Sequence, residues 1–134
     1  MRTYIAGKMR GIPLYNFPAF DSAASDLRSH GIEVVSPAEL DREQAGFDPT
    51  KLPDDWDWNT LPEDFCLRHA AARDLAALMT CDAIHLLPGW QQSKGATAEH
   101  AVAVWLGLGV FEYGNRDTNQ DIVPRSPKDE AKPV

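Results

Sequence analysis

The chain has 134 residues, 43% of them hydrophobic and 25% charged, which excludes a largely disordered chain, and at this length we expect one globular domain and not two. Its formal net charge of −7 excludes a broad surface for a nucleic-acid polymer, because neutralising phosphates needs clustered lysines and arginines. No apolar run reaches the roughly 20 residues that span a bilayer, and the first residues lead directly into a strand, so we expect a cytoplasmic protein without a membrane partner.

Predicted strands and helices alternate along residues 1–114. The strands are expected at residues 3–6, 32–35, 83–87 and 110–113, and the helices at residues 17–30, 60–79 and 96–108. Strands that alternate with helices at this spacing form a parallel sheet covered by helices on both faces. The pattern therefore predicts an α/β fold, a flavodoxin-like or Rossmann-like three-layer sandwich with a four- to five-stranded parallel sheet.

Local signals set the expected bounds of these elements. Apolar side chains recur at helical spacing in the first helix, at Phe17, Phe20, Ala24 and Leu27. Gly31 should close that helix, and Pro37 should stop the second strand. Thr60-Leu61-Pro62-Glu63 matches a capping box, so the second helix is expected to begin there.

Two segments stand apart from this alternation. Residues 41–59 are acidic and contain two prolines and the run Asp54-Asp55-Trp56-Asp57-Trp58. We expect an irregular excursion from the 1–114 domain, either a lid or binding loop or a plain surface insertion. Residues 115–134 are polar with three prolines and are predicted to be a disordered tail.

The sequence gives no sign of a metal or cofactor site. Cys66 and Cys81 match neither a metal-site spacing nor a disulfide framework, and we expect both to be reduced core residues. The loop after the first strand has neither the phosphate-loop pattern nor the dinucleotide fingerprint. We therefore expect neither a metal nor a cofactor.

Two carboxylates are candidates for chemistry. Glu99 lies near the start of a helix that is otherwise almost wholly apolar, where it either complements the helix dipole and caps free N–H groups or is a nucleophile kept ionised by that dipole. Asp74 lies near the end of a predicted helix, where a negative charge is unfavourable. An ion pair with Arg73 is the simplest explanation, and these residues alone leave both questions open.

The loop after the first strand is suited to a small anion. Gly7 and Gly11 permit a tight backbone, and Lys8 and Arg10 place two cations at the carboxyl end of a strand. Ligands of parallel α/β sheets bind at this edge.

Together these motifs resemble the nucleoside 2-deoxyribosyltransferase superfamily, most closely its branch of 2′-deoxynucleoside 5′-monophosphate N-glycosidases and related small proteins of bacteria and phages. The matching positions are Tyr4, Gly7, Arg10 and Gly11 in the first strand and loop, Asp74 eight residues before Asp82, and Glu99 six residues after Ser93 with Gly95 between them. The resemblance covers residues 3–113, leaving out 41–59.

What the resemblance implies for the site agrees with glycosidic chemistry. The bond breaks through an oxocarbenium-like sugar, so Glu99 would be the nucleophile at the anomeric carbon, Asp74 would protonate the leaving base, and Tyr4 would orient Glu99. Substrate contacts are expected from Gly7, Lys8, Arg10, Gly11, Gly89, Trp90, Ser93 and Gly95. Ser93 stands where the transferases carry an aspartate, and a serine accepts a 5′-phosphate without charge repulsion. Lys8 departs from the branch, which has a small hydroxyl residue there.

The expected function is cleavage or transfer at the N-glycosidic bond of a (deoxy)nucleoside 5′-monophosphate, with release of the free base. One alternative is a catalytically inactive nucleotide-binding or sensor protein on the same fold. Another is an acidic interaction protein that uses Trp56 and Trp58 as anchors. The partner would be a small-molecule nucleotide or nucleoside. We also expect a homodimer or larger homo-oligomer, because the helix at 96–108 is apolar on nearly every face.

Overall fold

The sheet confirms the predicted fold class. The structure is a computed structural model that describes residues 1–114, and the predicted tail at 115–134 lies outside the described residues. The strands are β1 (Arg2–Ala6), β2 (Glu33–Val35), β3 (Ala83–Leu86) and β4 (Gly109–Glu112). All neighbouring pairs are parallel, and the order in the sheet is β2-β1-β3-β4.

Helices cover both faces of this sheet. They are α1 (Phe17–Ser29), α2 (Pro37–Ala45), α3 (Leu67–Leu78) and α4 (Lys94–Leu106). Successive side chains of a strand point to opposite faces, and in β1 they enter two different core clusters. Ile5 packs in the cluster that contains α1, whereas Tyr4 packs in the cluster that contains residues of α3 and α4. The four apolar positions that predicted α1 are all buried.

One helix was not predicted, and another begins later than predicted. Residues 37–45 form α2, although the sequence pattern indicated an irregular segment from residue 41, because Pro37 occupies the first turn of a helix as well as ending a strand. The helix α3 begins at Leu67 and not at Thr60. The Thr60 carbonyl accepts a hydrogen bond from the Tyr15 hydroxyl, and the Phe65 N–H donates to the Pro62 carbonyl at 3.0 Å. These residues therefore form a turn and a tertiary contact in place of the first turns of a helix.

The 46–61 segment packs against the loop after β1. The Gly11 N–H donates to the Trp58 carbonyl at 2.7 Å, and Trp56 Nε1 donates to the Tyr15 hydroxyl at 2.8 Å. Tyr15 also meets the Trp58 ring edge-on at 4.9 Å. These contacts hold Leu14, Tyr15 and Asn16 at φ values of 56°, 50° and 63°, a conformation that side-chain-bearing residues rarely adopt. Both tryptophans are half-buried and pack against the core of this chain, so at least part of each ring serves the fold itself.

One further expectation about burial is wrong. Cys66 is exposed at the start of α3, although Cys81 is buried as expected, and both are free thiols. The helix α4 is only partly covered within this chain: Ala96 and Ala103 are its buried residues, and Trp105 is 68% exposed. No helix among residues 1–114 combines the length and the apolar character needed to cross a membrane.

We expect Gly7→Ala to destabilise the fold by about 1–3 kcal/mol, the range for overpacking a filled site. A Cβ at Gly7 would lie 2.9 Å from the Leu87 Cβ, where β1 and β3 end side by side. Gly95→Ala is the matched control, because its Cβ would meet nothing closer than the Ser93 Oγ at 3.9 Å. Urea unfolding measures both; a Gly7→Ala midpoint equal to that of the unmutated protein would show that the Gly7 contact yields freely.

Candidate active site

A buried tyrosine and a helix carboxylate form the centre of the candidate site. Tyr4 is completely buried in the middle of β1, and its hydroxyl donates a hydrogen bond to Glu99 Oε2. Burial and the negative charges of Glu99 and Asp74 raise the pKa of Tyr4 well above its usual value. The tyrosine therefore keeps its proton and remains a hydrogen-bond donor to Glu99.

The start of α4 has its own cap, which bears on the capping interpretation of Glu99. Ser93 Oγ accepts a hydrogen bond from the Ala96 N–H at 3.1 Å, and α4 has no acidic residue in its first turn. Glu99 lies beyond that turn, where the dipole has little effect. Glu99 is therefore neither a cap nor a dipole partner.

The charge state of Glu99 also differs from the expectation. Burial, followed in part by the negative charge of Asp74, raises the pKa of Glu99 to about 8, and the hydrogen bond from Tyr4 only partly opposes this rise. The expected dipole effect, which would keep the carboxylate ionised, is too weak at this position. In the unliganded chain Glu99 holds a proton at neutral pH.

Asp74 lies beside an arginine, as the sequence indicated. Arg73 donates to Asp74 Oδ1 from Nε at 3.0 Å and from Nη2 at 2.8 Å. Burial nevertheless raises the pKa of Asp74 to about 6, against the lowering effect of Arg73. The same Nη2 donates to Asp41 Oδ1 at 2.5 Å. Sequence reasoning missed Asp41, because it fell in the segment interpreted as irregular; Pro37 at the first turn of a helix was the available signal.

The two predicted cations follow β1. The Lys8 carbonyl accepts a hydrogen bond from Asn16 Nδ2 at 3.0 Å, whereas the Arg10 side chain is exposed. Gly11 has a φ of +88°, and a Cβ there would lie 2.9 Å from Asn59 Oδ1, so this position requires glycine. The loop after β3 starts beside this one, because the Leu87 N–H donates to the Ala6 carbonyl at 2.8 Å.

The loop after β3 supplies the other predicted contacts. Gly89 has a φ of +85° and precedes Trp90, whose ring centroid lies 4.5 Å from that of His100 on α4. Trp90 Nε1 is buried and has no hydrogen-bond partner within residues 1–114. The Ser93 oxygen accepts the capping bond, which leaves its O–H free to donate to a ligand. Gly95 follows on the exposed side of α4.

Two clefts open near these groups. One of about 570 Å³ lies between the 46–61 segment and the start of α3, with Phe47, Phe65 and His69 in its wall. Arg73 also lines it, whereas Tyr4, Asp74 and Glu99 do not. The other, of about 250 Å³, lies between the loops after β3 and β4 and includes Trp90. In the described part of the chain, no cluster of three histidine, cysteine or acidic side chains is arranged to hold a metal ion.

Comparison with known proteins gives a family and a fold. Residues 1–112 match the model of a family described as "Domain of unknown function (DUF4406)". A solved structure of a 2-deoxyribosyltransferase from the psychrotolerant bacterium Bacillus psychrosaccharolyticus superposes with a TM-score of 0.57 at 18% sequence identity. The superposition covers 84% of this chain and 71% of that one, so the two share a fold. No curated protein matches the chain.

Proposed function

The chain belongs to the DUF4406 family, and we propose that it cleaves or transfers at the N-glycosidic bond of a (deoxy)nucleoside 5′-monophosphate, with Glu99 as the nucleophile. The observation that carries this proposal is the hydrogen bond from the buried Tyr4 hydroxyl to Glu99, with Asp74 close enough for its charge to act on both. Enzymes that cleave glycosidic bonds use a pair of carboxyl groups, and here two half-buried carboxyls lie near the same hydrogen-bond donor. The fold shared with a 2-deoxyribosyltransferase supports the same reaction class.

The chemistry divides into two displacements. A carboxylate oxygen of Glu99 forms a bond to the anomeric carbon as the bond from that carbon to the base nitrogen breaks, and Asp74 gives its proton to the departing base. Water then attacks the anomeric carbon and releases Glu99, while Asp74 takes a proton from that water. If a second base attacks instead of water, the same intermediate gives transfer. The Tyr4 hydroxyl holds Glu99 in place throughout.

The protonation of the pair fits this scheme at neutral pH. With pKa values of about 6 for Asp74 and about 8 for Glu99, the two carboxyls together hold one proton between these pH values. The mechanism needs that one-proton form, with one carboxyl ionised to attack and the other protonated to donate. In the unliganded chain the proton resides mainly on Glu99, and the active arrangement places it on Asp74. The ratio of these two arrangements does not change with pH.

Ser93, Lys8 and Arg10 are the proposed phosphate contacts. We expect Arg10→Ala to weaken binding of a deoxynucleoside 5′-monophosphate by about 1.5–3 kcal/mol, the scale of a hydrogen bond to a charged group. Binding of the deoxynucleoside without phosphate should hardly change. Arg2→Ala is the matched control, because Arg2 lies at the opposite edge of the sheet and pairs with Glu33. Calorimetric titration measures both, and equal losses for nucleotide and nucleoside would contradict the phosphate assignment.

The test of the function is release of free base. Purified protein is incubated with a panel of deoxynucleoside 5′-monophosphates and the corresponding deoxynucleosides, and the base is quantified by chromatography. Release from the monophosphates, absent in Glu99→Gln, supports the proposal. If a monophosphate binds tightly but no member of the panel releases its base, the protein is a nucleotide sensor instead. Release of base from the deoxynucleosides alone favours the transferase, with Ser93 contacting only the sugar.

The exposed side of α4 supports self-association as part of this proposal. Trp105 and Leu106 are 68% and 45% exposed, which is unusual for large apolar side chains next to each other. We expect light scattering at micromolar concentration to give at least a dimer, and Trp105→Asp to shift it toward the monomer. A monomeric unmutated protein would contradict the expectation.

A further inference from the structure

Asp41 is a buried carboxylate. Its exposed fraction is 4%, and no other aspartate or glutamate among residues 1–114 is buried. An uncompensated charge in such a place is strongly unfavourable. Arg73 supplies the compensation across the α2–α3 contact, with Nη2 at 2.5 Å from Asp41 Oδ1.

Arg73 is shared between two acids. The nitrogen that contacts Asp41 also contacts Asp74 Oδ1 at 2.8 Å, and Arg73 Nε contacts the same oxygen at 3.0 Å. The guanidinium is a rigid planar fork, so the contact to Asp41 fixes how its other N–H groups face Asp74. One positive charge thus serves two carboxylates, and the set carries a net negative charge when both are ionised.

We propose that Asp41 is a positioning residue: it holds the Arg73 guanidinium and balances part of its charge, so that the neighbouring Asp74 can take up a proton near neutral pH instead of being a permanently ionised partner of Arg73. An arginine paired only with Asp74 would favour the ionised carboxylate by the full strength of a close opposite charge. The use of that proton on a leaving base rests on the proposed function, whereas the effect on Asp74 does not.

Within residues 1–114, the groups that act on Asp74 belong to this arrangement. Burial is the largest cause of the raised pKa of Asp74; Arg73 on α3 lowers this pKa, and the charge of Asp41 on α2 raises it by the smallest of these contributions. Tyr4 on β1 and Glu99 on α4 complete the surroundings, since the charge of Asp74 raises the pKa of each. Removing the charge of Asp41 therefore takes away a negative neighbour of Asp74 and leaves Arg73 to Asp74 alone. Both changes act in the same direction, toward easier ionisation of Asp74.

The experiment compares Asp41→Asn with Asp21→Asn. Asparagine at position 41 keeps an oxygen for Arg73 but no charge. Asp21 of α1 pairs with Arg42 of α2 at 2.5 Å on the surface, so its replacement removes the same charge from an exposed ion pair that α2 also takes part in. The titration of Asp74 is followed by carbon NMR of protein labelled at the aspartate carboxyl carbon, with the resonance assigned from Asp74→Asn.

We expect Asp41→Asn to weaken the proton affinity of Asp74 about threefold, less than the effect of gaining an adjacent arginine, because Arg73 already contacts Asp74 and the charge of Asp41 is the smallest influence on it. Asp21→Asn should leave it unchanged. Base release by Asp41→Asn should fall about threefold at the pH optimum, because the arrangement with the proton on Asp74 becomes about threefold rarer. The lower limb of its pH profile should move to lower pH. If the contact between Asp41 and Arg73 were purely structural, its loss would lower the folded fraction but would shift neither the lower limb of the pH profile nor the titration of Asp74.

The outcomes separate this inference from the proposed function. If Asp74 titrates at the same pH in Asp41→Asn and in the unmutated protein, the inference is overturned even where base is released. If the titration shifts as expected but the unmutated protein releases no base, the inference stands and the proposed function fails. Should Asp41→Asn not fold, Asp41→Ala replaces it, with the same expected shift.

Discussion

Replacing Glu99 with glutamine is expected to lower the rate of base release by at least about a thousandfold, because a nucleophile acts on the transition state and its loss is not compensated by binding. Glutamine keeps the volume and the hydrogen bond from Tyr4 but offers no carboxylate oxygen to the anomeric carbon. Affinity for the intact nucleotide should change little. Single-turnover release of base and calorimetric binding of the same nucleotide measure the two quantities.

Stability provides the control for this variant. Glu99 has a pKa of about 8 in the folded chain, above its ordinary value of 4.5, so the folded state binds more protons than the unfolded state between these values. The free energy of unfolding therefore falls as the pH rises through this window. Glutamine cannot ionise, so Glu99→Gln does not lose stability in this way and should be at least as stable as the unmutated protein at pH 8. A variant that is stable, binds nucleotide and still releases base would place the nucleophile elsewhere.

The sheet and α1 could be predicted because their signals are local and do not compete. In α1 the apolar side chains follow one helical face, and all of those named from the sequence are buried. The β strands are short apolar runs, each followed by a glycine, a proline or a helix start. The parallel sheet then follows from the alternation of elements alone.

The helix α2 and the start of α3 could not be predicted, because there tertiary contacts override local signals or one signal suits two structures. The capping box at residue 60 is a sound local pattern, yet the Thr60 carbonyl is bonded by Tyr15, a residue distant in sequence. Pro37 suits both the end of a strand and the first turn of a helix. The sequence therefore did not predict α2, nor the contact that Asp41 of α2 makes with Arg73.

The sequence pattern of α4 could not predict how deeply each of its side chains is buried. An almost wholly apolar helix predicts a packed one, but the sequence does not say what covers it, and Trp105 is exposed within the chain. For Glu99 the same limit decides the charge state. Its position near a helix start suggested an ionised carboxylate, whereas the surrounding side chains of the folded chain raise its pKa to about 8.

Replacing Asp74 with asparagine is expected to lower base release by about 10²–10⁴-fold, the contribution of a general acid. The unmutated protein should show a bell-shaped profile of kcat/KM, falling below about pH 6 as both carboxyls become protonated and above about pH 8 as both become ionised. The variant has no acid to lose, so its upper limb should disappear. Its rising limb should lie below pH 8, because the charge of Asp74 no longer raises the pKa of Glu99.

Two comparisons make this prediction specific to proton donation. A nucleotide whose base departs without needing a proton should be released by Asp74→Asn at nearly the unmutated rate, because the missing step is then unnecessary. Asp82→Asn is the matched control: it removes one carboxylate that accepts the Arg2 N–H at 2.9 Å at the far end of β3 and should leave both limbs in place. If Asp74→Asn retains the decline above pH 8, the proton comes from another group, and Asp74 only adjusts the charge of Glu99.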